Sequence, residues 1–310
     1  ALQLLGGRVR GVTQAAVGEQ ALRVLDTLRV DIAFVGTADR LEATLVPNAG
    51  FRFIAVASAG LPRRPSWRLV PALVKITRGV AEAARVVRRE RPSVVFGTGG
   101  FASAPLVAAA AAMGVPTLVH DSNAVPGLAN KWLAKVATEA HIAFEAARPA
   151  FPARKVRLTG NPLRQAVLDA RESRSTLSRD RCGSRLLAVL GGSQGARGIN
   201  QAVTGALEHI SGLGMQIIHL TGPADLEEVR KGYSSAPLPY FVSDFCHDMH
   251  QAYSAADVAI ARSGASSLAE LSAFSLPTIL VPFHYATDDH QTLNAQVYAE
   301  CGAAEILKEK

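Results

Sequence analysis

Residues 256–294, ADVAIARSGASSLAELSAFSLPTILVPFHYATDDHQTLN, leave the chain few ways to fold. Residues 257–261 form a short β-rich run, and Arg262-Ser263-Gly264-Ala265 is a turn that opens a helix. Across 265–275, Leu268, Leu271 and Phe274 recur at helical spacing, an apolar stripe suited to lie on a sheet. Pro277 stops that helix, and 278–281 reads as a second buried strand before a polar helix start. A strand–turn–helix unit of this kind leaves free N–H groups at the helix N-terminus, where an anion such as phosphate is stabilised. Glu270 lies further along the same helix, where a carboxylate can accept both hydroxyls of a ribose. From spacing alone, a solvated helix face is the simpler account of Glu270.

The same grammar recurs along the chain. Strands are expected at 2–5, 31–36, 51–57, 93–96, 117–120, 141–144, 186–190, 215–220, 240–242 and 304–307. Helices are expected at about 15–28, 37–45, 69–90, 102–113, 127–136 and 198–210, with 171–184 a polar surface linker. Strand–helix alternation at this length predicts an α/β protein of two Rossmann-like domains facing a cleft, 1–159 and 160–310. The junction falls in Gly160-Asn161-Pro162-Leu163-Arg164, where Pro162 fixes the approach to the next helix.

Composition excludes several classes. At 48% hydrophobic and 19% charged residues the chain has ample core for a globular fold. Its longest apolar run, 104–119, is broken by Gly114 and Pro116 and falls short of a membrane span. Cys182, Cys246 and Cys301 have no metal or disulfide spacing, which suits a reducing cytoplasm. The formal charge of +7 is concentrated in one segment. Arg63, Arg64, Arg68, Lys75, Arg78, Arg85, Arg88, Arg89 and Arg91 are opposed there only by Glu82 and Glu90. A basic segment with Trp67, Leu69 and Val70 beside it suits the anionic inner membrane surface, or simply a solvated helix face. Nothing in it matches a nucleic-acid recognition motif, so no nucleic-acid partner is expected.

The strand ends carry the candidate chemistry. Gly97-Thr98-Gly99-Gly100 and Gly191-Gly192-Ser193-Gln194-Gly195-Ala196 are turns that let a ligand approach the backbone, or ordinary βα turns. Ser193 offers a hydroxyl and Gln291 an amide that both donates and accepts. Arg164 offers a planar fork suited to a diphosphate. His120 stands at a strand end, where a core histidine is the simpler account, followed by Asp121 and Asn123. Asp288, Asp289 and His290 fit no metal-ligand signature, so no metal and no cofactor are expected.

These segments together resemble a known family. RSGASSLAELSAFSLPTILVPF with DDHQTLNA, FGTGGFASAP, HDSNAVPGLANKWLA, GNPLR and LGGSQGARGIN occur in the order found in MurG. This family of bacterial N-acetylglucosaminyltransferases converts lipid I to lipid II in peptidoglycan synthesis. The resemblance runs from about residue 30 to 307 and is specific as a set. It implies the GT-B glycosyltransferase type, an inverting hexosyltransferase with UDP-N-acetylglucosamine as donor and an undecaprenyl-linked muramoyl-pentapeptide as acceptor. It also implies a peripheral position on the cytoplasmic face of the cell membrane. In its terms 160–310 binds the donor and 1–159 faces the acceptor and membrane. Donor contacts carry over to Asn123, Arg164, Ser193, Cys246, Ala265, Ser266, Ser267, Leu268, Ala269, Glu270 and Gln291. At Cys246 the contact is main-chain, to the uracil edge. Gly97, Thr98, Gly99 and Gly100 fall on the acceptor side.

The sequence departs from the family in three places. Where the family has GGTGGH, this chain has Gly6, Gly7, Arg8, Val9, Arg10 and Gly11, so the family's histidine is a glycine. Asp121 and Ser122 stand where Glu and Gln are usual. Family members continue into C-terminal helices, the last crossing back to the first domain, whereas this sequence stops at Lys310. The catalytic base then passes to Asp121, with His120 behind it. The alternatives are a catalytically impaired UDP-sugar-binding or scaffold protein, and a glycosyltransferase with another acceptor.

Overall fold

The computed structural model describes residues 31–39, 42–58, 69–176, 185–192, 194–283, 285 and 289–309. The first glycine turn with its expected strand and helix, Arg63, Arg64, Trp67, Arg68, Cys182, Ser193 and Asp288 lie outside them. The chain divides into two compact units between Asn161 and Pro162, inside the GNPLR segment.

In the first unit, β1 (Ala33–Gly36) and β2 (Arg52–Ala55) pair in parallel, joined through α1 (Glu42–Asn48). The long helix α2 (Leu69–Glu90) leads to a parallel sheet of β3 (Val95–Gly97), β4 (Thr117–Asp121), β5 (Glu139–Ile142) and β6 (Val156–Leu158), in that order. Between them run α3 (Gly100–Ala112) and α4 (Leu128–Val136). The core joins Val87 of α2, Val107 and Ala110 of α3, and Leu133 and Ala134 of α4 to Val95, Val119, Ala140 and Ile142 of the sheet. β4 is buried along its whole length, as a central parallel strand must be. β5 starts two residues before the strand expected at 141–144. The charged Glu139 hides its start from a hydrophobicity pattern. In the structure Glu139 is half-buried, 3.1 Å from His141 Nε2 and 3.7 Å from Arg157 Nε.

In the second unit, α5 (Gln165–Thr176) precedes β7 (Arg185–Leu190). The polar linker expected at 171–184 is therefore helical up to Thr176. Val167 anchors that helix in the core, while its exposed second half (Arg171, Glu172, Ser173) carries no apolar signal. After β7 come α6 (Arg197–Gly205), α7 (Leu207–Gly212), β8 (Met215–Leu220), α8 (Leu226–Tyr233), β9 (Tyr240–Ser243) and α9 (Met249–Ala255). The chain then runs through β10 (Val258–Ala261), α10 (Ala265–Ala273), β11 (Thr278–Leu280), α11 (His290–Glu300) and β12 (Ala304–Ile306). The single helix expected at 198–210 is two, broken beside Gly205, with Leu207 turned into the core.

The second sheet is parallel, in the order β12-β11-β10-β7-β8-β9. Along β7, Leu187 and Val189 enter one core, with Ile199, Val203 and Tyr233. Ala188 and Leu190 enter the other, with Tyr253, Leu271 and Phe274. That alternation is the period of a strand covered on both faces. The order reverses between β7 and β10, and an open α/β sheet has its crevice at the carboxyl ends of such a pair.

Candidate functional site

A cavity of about 220 Å³ sits at that reversal. Leu190 ends β7 and Leu220 ends β8, Asp244, Phe245 and Cys246 follow β9, and Met249 and Tyr253 come from α9. Gly192, Arg164, and Ser267 and Glu270 of α10 complete the lining. The structure thus gathers Arg164, Cys246, Ser267 and Glu270 from positions scattered over a hundred residues of sequence.

Two of these residues meet directly. Arg164 donates from Nε to Glu270 Oε1 (2.9 Å) and from Nη2 to Oε2 (3.2 Å), a two-point fork, and from Nη1 to the His247 carbonyl (3.3 Å). Burial works against the Arg164 charge, but the Glu270 carboxylate outweighs it and raises the guanidinium pKa. The Tyr253 hydroxyl donates to Glu270 Oε2 at 2.9 Å. Burial first, and then the neighbouring carboxylate, hold the Tyr253 phenol well above its usual pKa, so it stays a donor.

α10 opens at Gly264, and its first intrahelical bond runs from Leu268 N to Gly264 O (3.0 Å). The amides of Ala265, Ser266 and Ser267 precede any intrahelical acceptor. Leu268 turns its side chain into the core at 1% exposure, so only its main chain is available to a ligand. Ala269 packs against the same core. Gln291 is half-buried, and its Oε1 accepts from Phe283 N (3.0 Å). Ser263 Oγ donates to the Gln291 carbonyl (2.8 Å) and Asn294 Nδ2 to the Ser263 carbonyl (3.2 Å), which ties α11 to the end of β10.

The glycine turn after β7 is shaped by close approach. Gly195 has φ +79°, and a Cβ there would lie 2.2 Å from the Thr221 carbonyl oxygen. Behind it Asn200 Nδ2 donates to that carbonyl (2.9 Å) and to Asp225 Oδ2 (2.8 Å), while Asn200 Oδ1 accepts from His219 Nε2 (3.0 Å). His219 Nδ1 is 3.0 Å from the Tyr233 hydroxyl, which must donate to it. Burial drops the His219 pKa to about 4.

In the first unit, Asp121 is 4% exposed and accepts three N–H groups. Oδ1 takes Asn123 N (3.1 Å), and Oδ2 takes Gly127 N and Asn130 Nδ2, each at 2.9 Å. Asn130 Nδ2 also donates to the His120 carbonyl (2.9 Å). Asn130 presses on the other glycine turn: a Cβ at Gly99, φ +95°, would meet its Nδ2 at 2.8 Å. Gly97, Thr98, Gly99 and Gly100 thus stand beside the Asp121 turn. His120 is buried, and its Nε2 lies 3.0 Å from the Gly160 carbonyl. A carbonyl only accepts, so Nε2 carries the proton. Burial lowers the His120 pKa, and the Gly160 carbonyl and Asp121 offset only part of that.

Sequence reasoning passed over Tyr253, Asn130 and Arg262. Arg262 donates to the Val281 carbonyl (3.0 Å) and forks onto Glu309 (2.7 and 3.1 Å). Asn130 carries a signal in hindsight, a polar residue on the apolar face of α4 beside Leu133 and Ala134. Tyr253 carries none, because a buried aromatic reads as core.

Two parallel α/β units with a pocket at a strand-order reversal and glycine turns at strand ends define a class. Residues 21–142 match the glycosyltransferase family 28 N-terminal domain, and 186–310 match the family 28 C-terminal domain. The class is that of the two-domain GT-B glycosyltransferases. A Myxococcus xanthus protein named UDP-N-acetylglucosamine–N-acetylmuramyl-(pentapeptide) pyrophosphoryl-undecaprenol N-acetylglucosamine transferase is 41% identical over 283 residues, 91% of this chain and 73% of the relative. A Halothermothrix orenii protein of the same name is 38% identical, over 90% of this chain and 78% of the relative. The crystal structure of Acinetobacter baumannii MurG superimposes with a TM-score of 0.72 at 29% identity, over 93% of this chain and 79% of that one. The chain belongs to this family of N-acetylglucosamine transferases, the MurG family.

Proposed function

We propose that this protein transfers N-acetylglucosamine from UDP-N-acetylglucosamine to an undecaprenyl-pyrophosphoryl muramoyl-pentapeptide, the lipid I to lipid II step of peptidoglycan synthesis. The observation that carries the reading is the cavity at the β7/β10 reversal, where Arg164 and Glu270 stand beside the α10 N-terminus. The second unit, 162–310, is the donor side. The diphosphate lies on the amides of Ala265, Ser266 and Ser267, with Leu268 and Ala269 behind them and Ser193 contributing from the glycine turn. Glu270 accepts from the ribose, the Cys246 main chain meets the uracil edge, and Gln291 meets the sugar. The first unit is the acceptor side, with Gly97, Thr98, Gly99 and Gly100 near the lipid-borne substrate.

The acceptor 4-hydroxyl attacks the anomeric carbon as the bond to UDP breaks, with inversion. UDP leaves with the bonding electron pair, stabilised by Arg164 and the helix amides. The hydroxyl proton goes to a base, for which Asp121 and His120 are the candidates. Asp121 Oδ1 accepts one N–H bond where Oδ2 accepts two, which makes Oδ1 the freer oxygen. His120 offers only Nδ1, since Nε2–H is given to Gly160.

The protein works peripherally on the cytoplasmic face of the membrane. Among the described residues no helix is long and apolar enough to cross one. Lys75, Arg78, Arg85, Arg88 and Arg89 are exposed on α2. On α4, which packs with α2 against α3, Leu128, Trp132 and Val136 form one exposed stripe at i, i+4 and i+8. Lys135 Nζ lies 4.1 Å above the Trp132 ring.

The test is transfer of labelled N-acetylglucosamine from UDP-N-acetylglucosamine to a soluble lipid I analogue. Product with the wild type and its loss in Glu270→Ala is the expected result. UDP binding without any transfer would leave a donor-binding scaffold, and transfer only to another sugar would reassign the acceptor.

A further inference from the structure

Glu270 is held by two donors of different character. Arg164 is long and 42% exposed, and its fork also suits a diphosphate. Tyr253 is 2% exposed, with its ring 5.6 Å from that of Phe274, inside the core shared by α9, α10 and β7. One donor is a long, partly exposed side chain, and the other is fixed by packing. Once Arg164 turns, the Tyr253 hydroxyl still donates to Oε2 and restrains the carboxylate, which is only 13% exposed. A carboxylate fixed before the ligand arrives loses less freedom on binding a diol than one left to rotate.

We propose that Tyr253 is the positioning residue of the ribose subsite: its hydroxyl holds the Glu270 carboxylate ready to accept the ribose hydroxyls of a uridine nucleotide while Arg164 passes to the diphosphate. The inference rests on the donor reading given above. Tyr253, which also lines the cavity, acts through Glu270. Its effect belongs to the ribose hydroxyls alone and leaves the base and the phosphates untouched.

The experiment is calorimetric titration of the full chain with UDP and with 2′,3′-dideoxyuridine diphosphate, for wild type, Tyr253→Phe and Glu270→Ala. Wild type is expected to prefer UDP by at least tenfold, and Glu270→Ala to lose the preference. Tyr253→Phe keeps the ring. It is expected to weaken UDP about fivefold while leaving the dideoxy nucleotide unchanged, so the ratio shrinks. Equal weakening of both nucleotides, or an unchanged ratio, overturns the proposal and leaves Glu270 on the ribose. A wild type that does not discriminate overturns the ribose reading itself. If a thermal melt shows Tyr253→Phe unfolded, Tyr253→Met, which fills similar volume without a donor, carries the same expectations.

Discussion

At the scale of single residues, the acidic and histidine side chains divide by what already holds them. In Asp121→Asn, one end of the side chain becomes an NH₂ facing N–H groups that now find carboxylate oxygens. The expected cost is about 1–3 kcal/mol in stability, read by urea melts. Lost transfer with unchanged stability would mark Asp121 as the base, and lost stability would mark it as the pin of the turn. His219 gives a pH signature. Its pKa is about 4 when folded, against the 6.5 of an unperturbed imidazole, so between these values the unfolded chain binds more protons. Its contribution is complete above pH 6.5, is lost as pH falls from 6.5 through 4, and changes no further below. The total is on the order of 3 kcal/mol. Urea melts from pH 4 to 7.5 should show this slope, and His219→Gln should flatten it.

At the scale of elements, the glycine turn after β7 and the end of β8 are built as one piece. Gly195 lies against Thr221, whose carbonyl is pinned by Asn200, and Gly222 N donates to the Asp244 carbonyl (3.0 Å) on the cavity rim. Gly195→Ala must push apart two backbones while holding a positive φ. The expected loss is about 3 kcal/mol or more, with donor binding lost too. Gly192→Ala tests conformation alone, since φ is +81° there but no atom lies within 4 Å of the added Cβ. Its expected cost is about 1 kcal/mol, with the cavity intact. Thermal melts of the two variants side by side separate strain from collision.

At the scale of the whole molecule, the charge and the exposed apolar stripe belong to the first unit and the cavity at the β7/β10 reversal to the second. Binding to vesicles containing an anionic lipid should weaken as salt rises, because screening shortens the reach of the α2 cations. Trp132→Ala should reduce vesicle binding severalfold in a co-sedimentation assay and leave UDP affinity unchanged. A variant that still binds vesicles fully would show that this face of α4 is not the contact.

The sequence by itself determined the periodic features. The bounds of α2, Leu69–Glu90, match the helix expected there, and β8 matches its expected strand. Local chemistry settles these, since apolar spacing, Pro and Gly act over a few residues. The motif set likewise carried the family and the class of fold. The tertiary structure alone decided that Arg164 and Glu270, separated by 106 positions, form a fork. It alone showed that Tyr253 joins them and that Asn130 closes on Gly99 and Asp121. Those are meetings between elements, set by strand order and by the need of each buried polar atom for a partner, and neither leaves a period in the chain.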